Sequence, residues 1–294
     1  MKTGVVIGFD ESKHIAKKIS KELKFKYVGA VVRKFPDGES YTRIYNEKLK
    51  GKKVFLVLSL DNPNDKIVTL IFLAHHIRAL GALKICLIAP YLCYMRQDKQ
   101  FRKGEVVSNK AIADLFNKYF DEIITVDPHL HRIKNLNQIF KIKTKKVSAV
   151  PLIANFVKKK CKNPFIFGPD YESYQWAKKV AKIIGCGVDI LKKHRYSSES
   201  VRIKIKEKLN LKDKDVVIVD DIISTGHTMM EVIRDAKKLG AKRVLCICIH
   251  GLFVENALNK IKKLNAEVYS TNTILSEVSK IDISKSIIQS IIKR

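Results

Sequence analysis

Acidic residues are scarce in this sequence, which bears on the kind of partner that the chain can bind. Its 294 residues include 57 Lys and Arg but only 29 Asp and Glu, which gives a formal net charge of +28. Such a charge favours an anionic partner, whether nucleotide, sugar phosphate, nucleic acid or membrane surface, without choosing among them. Because the basic residues are spread along the whole chain, we interpret them as a solvated lysine-rich surface and expect no nucleic-acid partner.

Long apolar runs are also lacking. No uninterrupted apolar stretch approaches the ~18 residues that span a bilayer, and the apolar run within residues 1–10 is too short for the core of a signal peptide. We therefore expect a cytoplasmic protein without a membrane partner. With 46% hydrophobic residues, the composition is that of a globular protein, and the length corresponds to about two domains.

Two common motifs are absent. None of the six cysteines belongs to a C-x-x-C pair. Cys246 and Cys248 lie two residues apart on a predicted strand, so both point to one face, which favours buried, reduced thiols over zinc ligands. The chain also lacks the pattern G-x-x-x-x-G-K-[S/T], which argues against a P-loop kinase.

Apolar runs of strand length alternate with segments of helical periodicity. This pattern is typical of an α/β protein with mostly parallel sheets. Strands are predicted at residues 4–8, 54–59, 85–89, 123–126, 165–167, 216–219 and 244–249. Long helices are predicted at residues 67–80, 109–119, 174–184 and 227–239.

An internal similarity divides the chain into two halves. Each half contains an apolar strand, at residues 54–59 in the first and 216–219 in the second. This strand is followed by a polar loop, a helix, the sequence Leu-Gly-Ala and a second apolar strand. The glycine, Gly81 or Gly240, marks the helix end because it tolerates the left-handed C-cap. We predict two related domains, 1–147 and 148–294, with the boundary near residues 145–151. Chance similarity of two ordinary βαβ units is the alternative.

The strongest local signal is the segment 216–228, in which an apolar strand runs into D-D-I-I-S-T-G-H-T and then a helix. Open α/β sheets bind ligands where a strand's carboxyl end meets a helix N-terminus. Hydroxyls and backbone N–H groups there suit a phosphate, whereas adjacent acids suit sugar hydroxyls or a sugar-bound Mg²⁺. Simple helix capping by Ser224 or Thr225 is the alternative. The candidate residues are Asp220, Asp221, Ser224, Thr225, Gly226 and Thr228.

This segment resembles the phosphoribosyl diphosphate (PRPP) loop of type I phosphoribosyltransferases, and further motifs narrow the resemblance to the ribose-phosphate diphosphokinase family. Residues 35–39 (F-P-D-G-E) resemble its adenine-binding segment, and residues 90–99 (P-Y-L-C-Y-M-R-Q-D-K) resemble its P-Y-x-x-Y-x-R-Q-D-K signature. Gly104-Glu105 with Ser108, D-P-H at 127–129 and G-P-D at 168–170 follow in the family's order. Several motifs in one order are more specific than any single motif.

The resemblance implies two phosphoribosyltransferase-like domains, and a reaction that moves a diphosphoryl group from MgATP to ribose 5-phosphate, giving PRPP and AMP. It implies Mg²⁺ as cofactor, and homo-oligomers with the ATP site near a subunit interface. By this resemblance the ATP-binding residues are Phe35, Asp37, Glu39, Arg96 and Gln97, the metal positions are His129 and Asp170, and the catalytic pair is Lys193 and Arg195.

The chain departs from the family pattern at two places. His227 replaces the second glycine of the usual T-G-G-T loop, and Tyr171 to Tyr174 (Y-E-S-Y) replace a glycine-containing turn, with Glu172 where a carboxylate would repel a diphosphate. A non-catalytic paralogue that binds nucleotide or PRPP is therefore an alternative to the enzyme. A phosphoribosyltransferase that consumes PRPP is a third hypothesis, disfavoured by the Arg96-Gln97 segment.

Overall fold

The computed structural model describes residues 4–45, 48–190 and 210–293. Contacts divide the chain into two compact units, which we call unit 1 (Met1–Ser148 with Ser284–Arg294) and unit 2 (Ala149–Ile283). Each unit is an α/β fold built on a largely parallel sheet, which confirms the predicted fold class. No helix within the described ranges is both long enough and apolar enough to cross a bilayer.

Unit 1 contains a seven-stranded sheet in the order β3-β2-β1-β4-β5-β6-β7. All neighbours pair in parallel except β2 and β3, which form an antiparallel hairpin. Its strands are β1 (Gly4–Gly8), β2 (Lys26–Lys34), β3 (Ser40–Ile44), β4 (Lys53–Val57), β5 (Lys84–Ala89), β6 (Glu122–Val126) and β7 (Lys143–Val147). Its connecting helices are α1 (Lys13–Leu23), α2 (Pro63–Ala79) and α3 (Ser108–Tyr119).

Unit 2 contains a six-stranded, wholly parallel sheet in the order β13-β12-β11-β10-β8-β9. Its strands are β8 (Pro164–Gly168), β9 (Gly187–Ile190), β10 (Asp215–Ile223), β11 (Arg243–Gly251), β12 (Glu267–Thr271) and β13 (Ser279–Ile281). Its helices are α4 (Val150–Lys160), α5 (Tyr174–Ile184), α6 (His227–Lys238) and α7 (Ala257–Lys262), and the chain closes with α8 (Ser284–Ile292).

The two sheets repeat one topology. The order β2-β1-β4-β5-β6-β7 in unit 1 matches the order β9-β8-β10-β11-β12-β13 in unit 2, strand for strand in chain order. The repeat predicted around residues 54–59 and 216–219 is therefore a repeat of β4 and β10, each followed by a helix, α2 or α6. This shared order supports two related domains over chance similarity of two βαβ units.

Central strands form the core of each unit. After a charged first residue, β4, β5 and β6 in unit 1, and β11 and the first half of β10 in unit 2, are mostly apolar, as strands covered on both faces should be. Cys246 and Cys248 are fully buried and belong to one hydrophobic cluster of unit 2, so the expected buried thiols are confirmed. All six cysteines are free.

The last helix, α8, belongs to unit 1 although it follows the strands of unit 2 along the chain. It packs on α1, β6 and β7, and the Lys145 ammonium, on β7, donates to the carbonyl of Lys293 at its C-terminal end over 2.7 Å. The helix α4, which follows β7, packs instead on α5 in unit 2. This division therefore differs at the C-terminus from the predicted halves.

The packing of α8 predicts unequal effects for two neighbouring isoleucines. Ile291 is 5% exposed and Ile292 is 57% exposed. Replacing Ile291 with Ala should lower the free energy of unfolding by about 3 kcal/mol because it leaves a cavity. Ile292→Ala, the matched control, should change it by about 0.5 kcal/mol or less. Urea denaturation measures the free energy of unfolding of both variants. Equal losses would contradict the packing of α8 through the face that carries Ile291.

Candidate active site

In unit 2, the carboxyl ends of β8 and β10 lie side by side. The strands pair in parallel over residues 164–167 and 215–218, so the residues that follow β8 and those that end β10 meet at one edge of the sheet. Asp170 comes two residues after β8, and Asp220 and Asp221 lie in the second half of β10. The structure thus brings together three of the candidate carboxylates.

These carboxylates act on one another electrostatically. Asp221 is buried, and its backbone N–H donates to Asp220 Oδ1 over 2.9 Å. Burial, followed by the charges of Asp221 and Asp170, raises the pKa of Asp220 well above its ordinary value of 3.8. No lysine or arginine among the described residues forms an ion pair with Asp220. A cation, or hydroxyl donors from a ligand, would offset this repulsion.

The loop after β10 turns sharply into α6. Gly226 has a left-handed backbone (φ +74°) directly before His227, the first residue of the helix. The Gly226 carbonyl accepts the first helical hydrogen bond, from the Met230 N–H over 2.9 Å. Because no side chain caps α6, the N–H groups of its first turn remain available to an anion, with the helix dipole directed towards it.

Three hydroxyl groups surround this turn. Ser224, Thr225 and Thr228 are half-buried, and within the described ranges none of their hydroxyls forms a hydrogen bond with another residue. Together with the first-turn N–H groups they form a compact set of donors next to Asp220 and Asp221. Such an arrangement suits a phosphate attached to a polyhydroxylated group.

The two departures from the family pattern fit the backbone without strain. The left-handed turn falls on Gly226, so position 227 does not require glycine, and the His227 side chain is exposed. The turn at 171–173 contains no residue with positive φ, so it also requires no glycine. Glu172 is exposed.

Ser173, which was not predicted from the sequence, holds Asp170 in place. The Ser173 N–H and Oγ–H donate to Asp170 Oδ1 over 2.8 and 2.7 Å, and the Asp170 N–H donates to Ser173 Oγ over 3.1 Å. Reciprocal bonding across three positions resembles a capping box, so the D-x-x-S spacing was the available signal. Gly168 permits the close approach of α5, since a Cβ there would lie 2.7 Å from Tyr174 Cα.

In unit 1, Arg96 and Gln97 follow β5 in a loop that Glu105 organises. Glu105 Oε2 accepts hydrogen bonds from the Phe101 N–H (2.8 Å), the Arg102 N–H (3.1 Å) and Gln97 Nε2 (3.2 Å). The two backbone donors, and then Gln97, lower the pKa of Glu105. The Arg96 side chain is exposed and forms no ion pair with a described residue. Gln97 is therefore tied into the loop, whereas Arg96 is available to an anion.

His129 follows β6, the strand beside β5. Its Nδ1 lies 3.2 Å from His131 Nε2, so the two rings form one pair. The neighbouring Arg132 donates to Asp98 over 2.9 Å, which joins the loop after β6 to the loop that carries Arg96. The structure thus brings the His129 and Arg96 segments together at one edge of the sheet.

Phe35, Asp37 and Glu39 lie at the tip of the β2–β3 hairpin. The Phe35 N–H donates to the Glu39 carbonyl over 2.8 Å, and the Glu39 N–H donates to Asp37 Oδ1 over 3.1 Å. The Phe35 ring is 50% exposed and meets the ring of Tyr41 edge-on, at a centroid distance of 5.9 Å. The hairpin therefore presents an exposed aromatic ring beside two exposed carboxylates.

Unit 1 by itself does not bring this hairpin to the Arg96 segment. Strands β1 and β4 separate β2 from β5 in the sheet, so the two groups lie three strand spacings apart, about 14 Å. The predicted catalytic pair, Lys193 and Arg195, lies outside the described residues. The last residue of β9, Ile190, is paired with Gly168 at the edge that carries Asp170.

Comparisons with known proteins match both halves of the chain to known domains. Residues 5–119 match the family described as the N-terminal domain of ribose phosphate pyrophosphokinase, and residues 137–283 match the phosphoribosyl transferase domain. The ribose-phosphate pyrophosphokinase of Sulfolobus acidocaldarius is 38% identical, with 98% of this chain and 100% of its own length covered. That of Pyrococcus abyssi is 34% identical, with 98% of each covered.

A solved structure matches the fold. The crystal structure of phosphoribosylpyrophosphate synthetase from Mycobacterium smegmatis superposes with a TM-score of 0.83 at 22% identity and covers 98% of both chains. The similarity to these two relatives extends over nearly the whole length of each chain. The chain therefore belongs to the ribose-phosphate pyrophosphokinase (diphosphokinase) family of enzymes.

Proposed function

We propose that this protein transfers a diphosphoryl group from MgATP to the anomeric hydroxyl of ribose 5-phosphate and releases AMP. The observation that carries the proposal is the geometry of unit 2, where paired carboxylates and an uncapped helix N-terminus share one sheet edge. Transfer of this kind requires positioning and neutralisation of charge more than covalent catalysis. The described residues supply groups for both.

Ribose 5-phosphate has two recognisable ends, and unit 2 has a group for each. The first-turn N–H groups of α6, with the hydroxyls of Ser224, Thr225 and Thr228, suit the 5-phosphate. Asp220 and Asp221 suit the ribose hydroxyls, which can donate to carboxylate oxygens. This division of roles accounts for acids at the end of β10 and phosphate donors in the loop that follows it.

Mg²⁺ fits the donor set of unit 2. It prefers carboxylate oxygens, and Asp170 offers a carboxylate whose Oδ1 is already fixed by Ser173. When bound, the ion would neutralise charge on the transferred phosphoryl oxygens. In unit 1, His129 is the other proposed magnesium position. Its contact with His131 restrains the ring, and both side chains are only half-buried.

On the ATP side, the exposed guanidinium of Arg96 supplies a cation for the nucleotide phosphates, which it can bind through two parallel N–H groups. Gln97 contributes indirectly, since its amide holds the loop through Glu105. The exposed Phe35 ring can stack on a base, with Asp37 and Glu39 at its side. Lys193 and Arg195 complete the proposal as cations for the transition state.

We also propose that the protein forms homo-oligomers with the ATP site near a subunit interface. The two candidate ATP-binding groups lie three strands apart in unit 1, so a second copy offers a way to combine them. On α2, Val68 and Phe72 are 40% and 53% exposed and lie one turn apart on the same face. We propose these two neighbouring apolar side chains as part of the surface that contacts the second copy. The six free thiols suit a cytoplasmic location.

The proposal predicts that the pure protein converts MgATP and ribose 5-phosphate to AMP and PRPP. Lys193→Ala should lower kcat by about a thousandfold, because a contact made in the transition state is lost, while circular dichroism stays unchanged. Chromatographic separation of ATP from AMP measures turnover of the wild type and of the variant. Binding of the substrates without turnover would contradict the enzyme and favour the non-catalytic paralogue, and near-normal turnover of the variant would refute the role of Lys193.

The raised pKa of Asp220 predicts that the site destabilises the unliganded protein. A carboxyl whose folded-state pKa is raised contributes stability below the ordinary pKa, here 3.8, and loses it as the pH rises through the folded value. Asp220→Asn should therefore gain stability over wild type as the pH rises from 4 to 8, while losing turnover. Thermal midpoints across that range provide the test.

The control for Asp220 is Asp235→Asn. Asp235 lies on α6 with a 43% exposed side chain, 3.5 Å from the Lys238 ammonium. This variant should show no gain in stability as the pH rises. Parallel midpoint curves for wild type and Asp220→Asn would show that burial of the Asp220 charge does not limit stability.

The oligomer is tested by placing a charge on α2. Phe72→Glu should shift the protein to a lower mass in multi-angle light scattering, because the carboxylate would have to be desolvated on association. Leu275→Glu, at a residue of unit 2 that is 59% exposed, is the matched control and should keep the wild-type mass. A wild-type protein that is already monomeric would contradict the proposal.

A further inference from the structure

A strained segment lies beside the loop at residues 224–228, which we call the ribose-phosphate loop. Phe253, Glu255 and Asn256 have φ values of +45°, +54° and +60°, a conformation that residues other than glycine rarely adopt. They are three of the nine described non-glycine residues with positive φ, and they fall within four consecutive positions. Such strain persists only where the surroundings enforce it, and it concentrates at functional sites.

The strained segment and the residue before it are hydrogen-bonded to Ile223, the residue directly before the ribose-phosphate loop. The Ile223 carbonyl, at the end of β10, accepts hydrogen bonds from the backbone N–H groups of both Leu252 (3.0 Å) and Phe253 (3.1 Å). The Phe253 ring folds back over Gly251, where a Cβ would lie 2.3 Å from it. The backbone is thus held at the last residue before the loop begins.

The helix that follows the strained segment packs against the turn of the loop. A Cβ on Gly226 would lie 3.1 Å from Ile261 Cδ1 and 3.3 Å from Ala257 Cβ. Both α7 residues are fully buried, and Ile261 shares a hydrophobic cluster with Ile223 and Met229. Gly226 therefore rests against an apolar wall formed by α7.

We propose that Ala257 and Ile261 are positioning residues that set the affinity of the ribose-phosphate loop for its ligand. They hold Gly226 so that the first-turn N–H groups of α6 face the phosphate. The left-handed residues make this possible, because α7 begins at Ala257, immediately after Asn256, and its packing offsets the strain. This inference rests on the proposed function of unit 2.

The physical reason is preorganisation. Apart from the exposed His227, the loop has only the short side chains of Ser224, Thr225 and Thr228 and the bare backbone of Gly226, so an unsupported loop would lose conformational entropy on binding. Support from α7 removes that cost before the ligand arrives and so raises affinity. Loosening the support should weaken binding of ribose 5-phosphate and leave binding of ATP unchanged.

Two matched substitutions separate positioning from stability. Ile261→Val removes the Cδ1 methyl, the atom nearest to the position of a Cβ on Gly226. Ile233→Val removes the same methyl from an equally buried residue of the same cluster, seven residues along α6 from Gly226, or about 10 Å. Both should lower the urea midpoint by similar amounts.

Only Ile261→Val should raise the KM for ribose 5-phosphate, by about fivefold, with the KM for ATP unchanged. Calorimetric titration with ribose 5-phosphate alone should show the same ratio of affinities. If the two variants weakened binding of ribose 5-phosphate equally, or if Ile261→Val did not weaken it, the inference would be overturned. The titration gives this result whether or not the protein catalyses the reaction. Wild-type protein that binds ribose 5-phosphate but forms no PRPP would contradict the proposed function and leave the titration as the test of positioning.

A crowding variant provides a second measurement. Ala257→Val adds two methyl groups where only 3.3 Å separates the Ala257 Cβ from the position of a Cβ on Gly226. It should displace the turn and raise the KM for ribose 5-phosphate more than Ile261→Val does, again without changing the KM for ATP. An unchanged KM in a folded Ala257→Val protein would show that α7 does not position the loop.

Discussion

Repulsion among carboxylates at one sheet edge is the constraint on which unit 2 depends. Parallel pairing of β8 and β10 brings Asp170 close to Asp220 and Asp221, and burial together with the two neighbouring carboxylates makes the charge of Asp220 costly. The surrounding structure holds them against that repulsion, with Ser173 fixing the Asp170 carboxylate. Left-handed residues near the site, such as Glu255, add about 1–3 kcal/mol of strain each. The buried core of the sheet supplies the stability that offsets both costs.

Unit 1 contains the equivalent turn without the repulsion among carboxylates. β4 and α2 take the places of β10 and α6, and Asn62 precedes α2 with φ +48° as Gly226 precedes α6 with φ +74°. There the Lys66 ammonium donates to Asp61 over 2.9 Å and to the Ser59 carbonyl over 3.0 Å. An internal cation thus supplies the charge that unit 2, in our proposal, receives from a ligand. The same turn is therefore neutralised by an internal ion pair in unit 1 and, in our proposal, by a ligand in unit 2.

Strands and helices with local signals were predictable from the sequence, and so was the fold class. Central strands contain apolar runs, and a carboxylate comes directly after the run in β10 and two residues after the end of β8, so Asp220 and Asp170 could be located. Edge strands such as β7, with the sequence KTKKV, were missed because their pairing depends on a neighbour. The roles of Ser173 and Glu105 were missed for a related reason. Each forms a hydrogen bond with a candidate site residue, Asp170 or Gln97, only once its loop has closed, and no periodicity in the sequence encodes that closure.

The place of α8 bears on the order in which the protein can fold during translation. Residues that form the sheet of unit 1 leave the ribosome first, but the surface formed by α1, β6 and β7 stays uncovered until residues 284–292 emerge. All of unit 2 is synthesised in that interval. The nascent chain therefore keeps this apolar face exposed while the whole of unit 2 is synthesised, and exposed apolar surface of this kind favours aggregation until α8 docks.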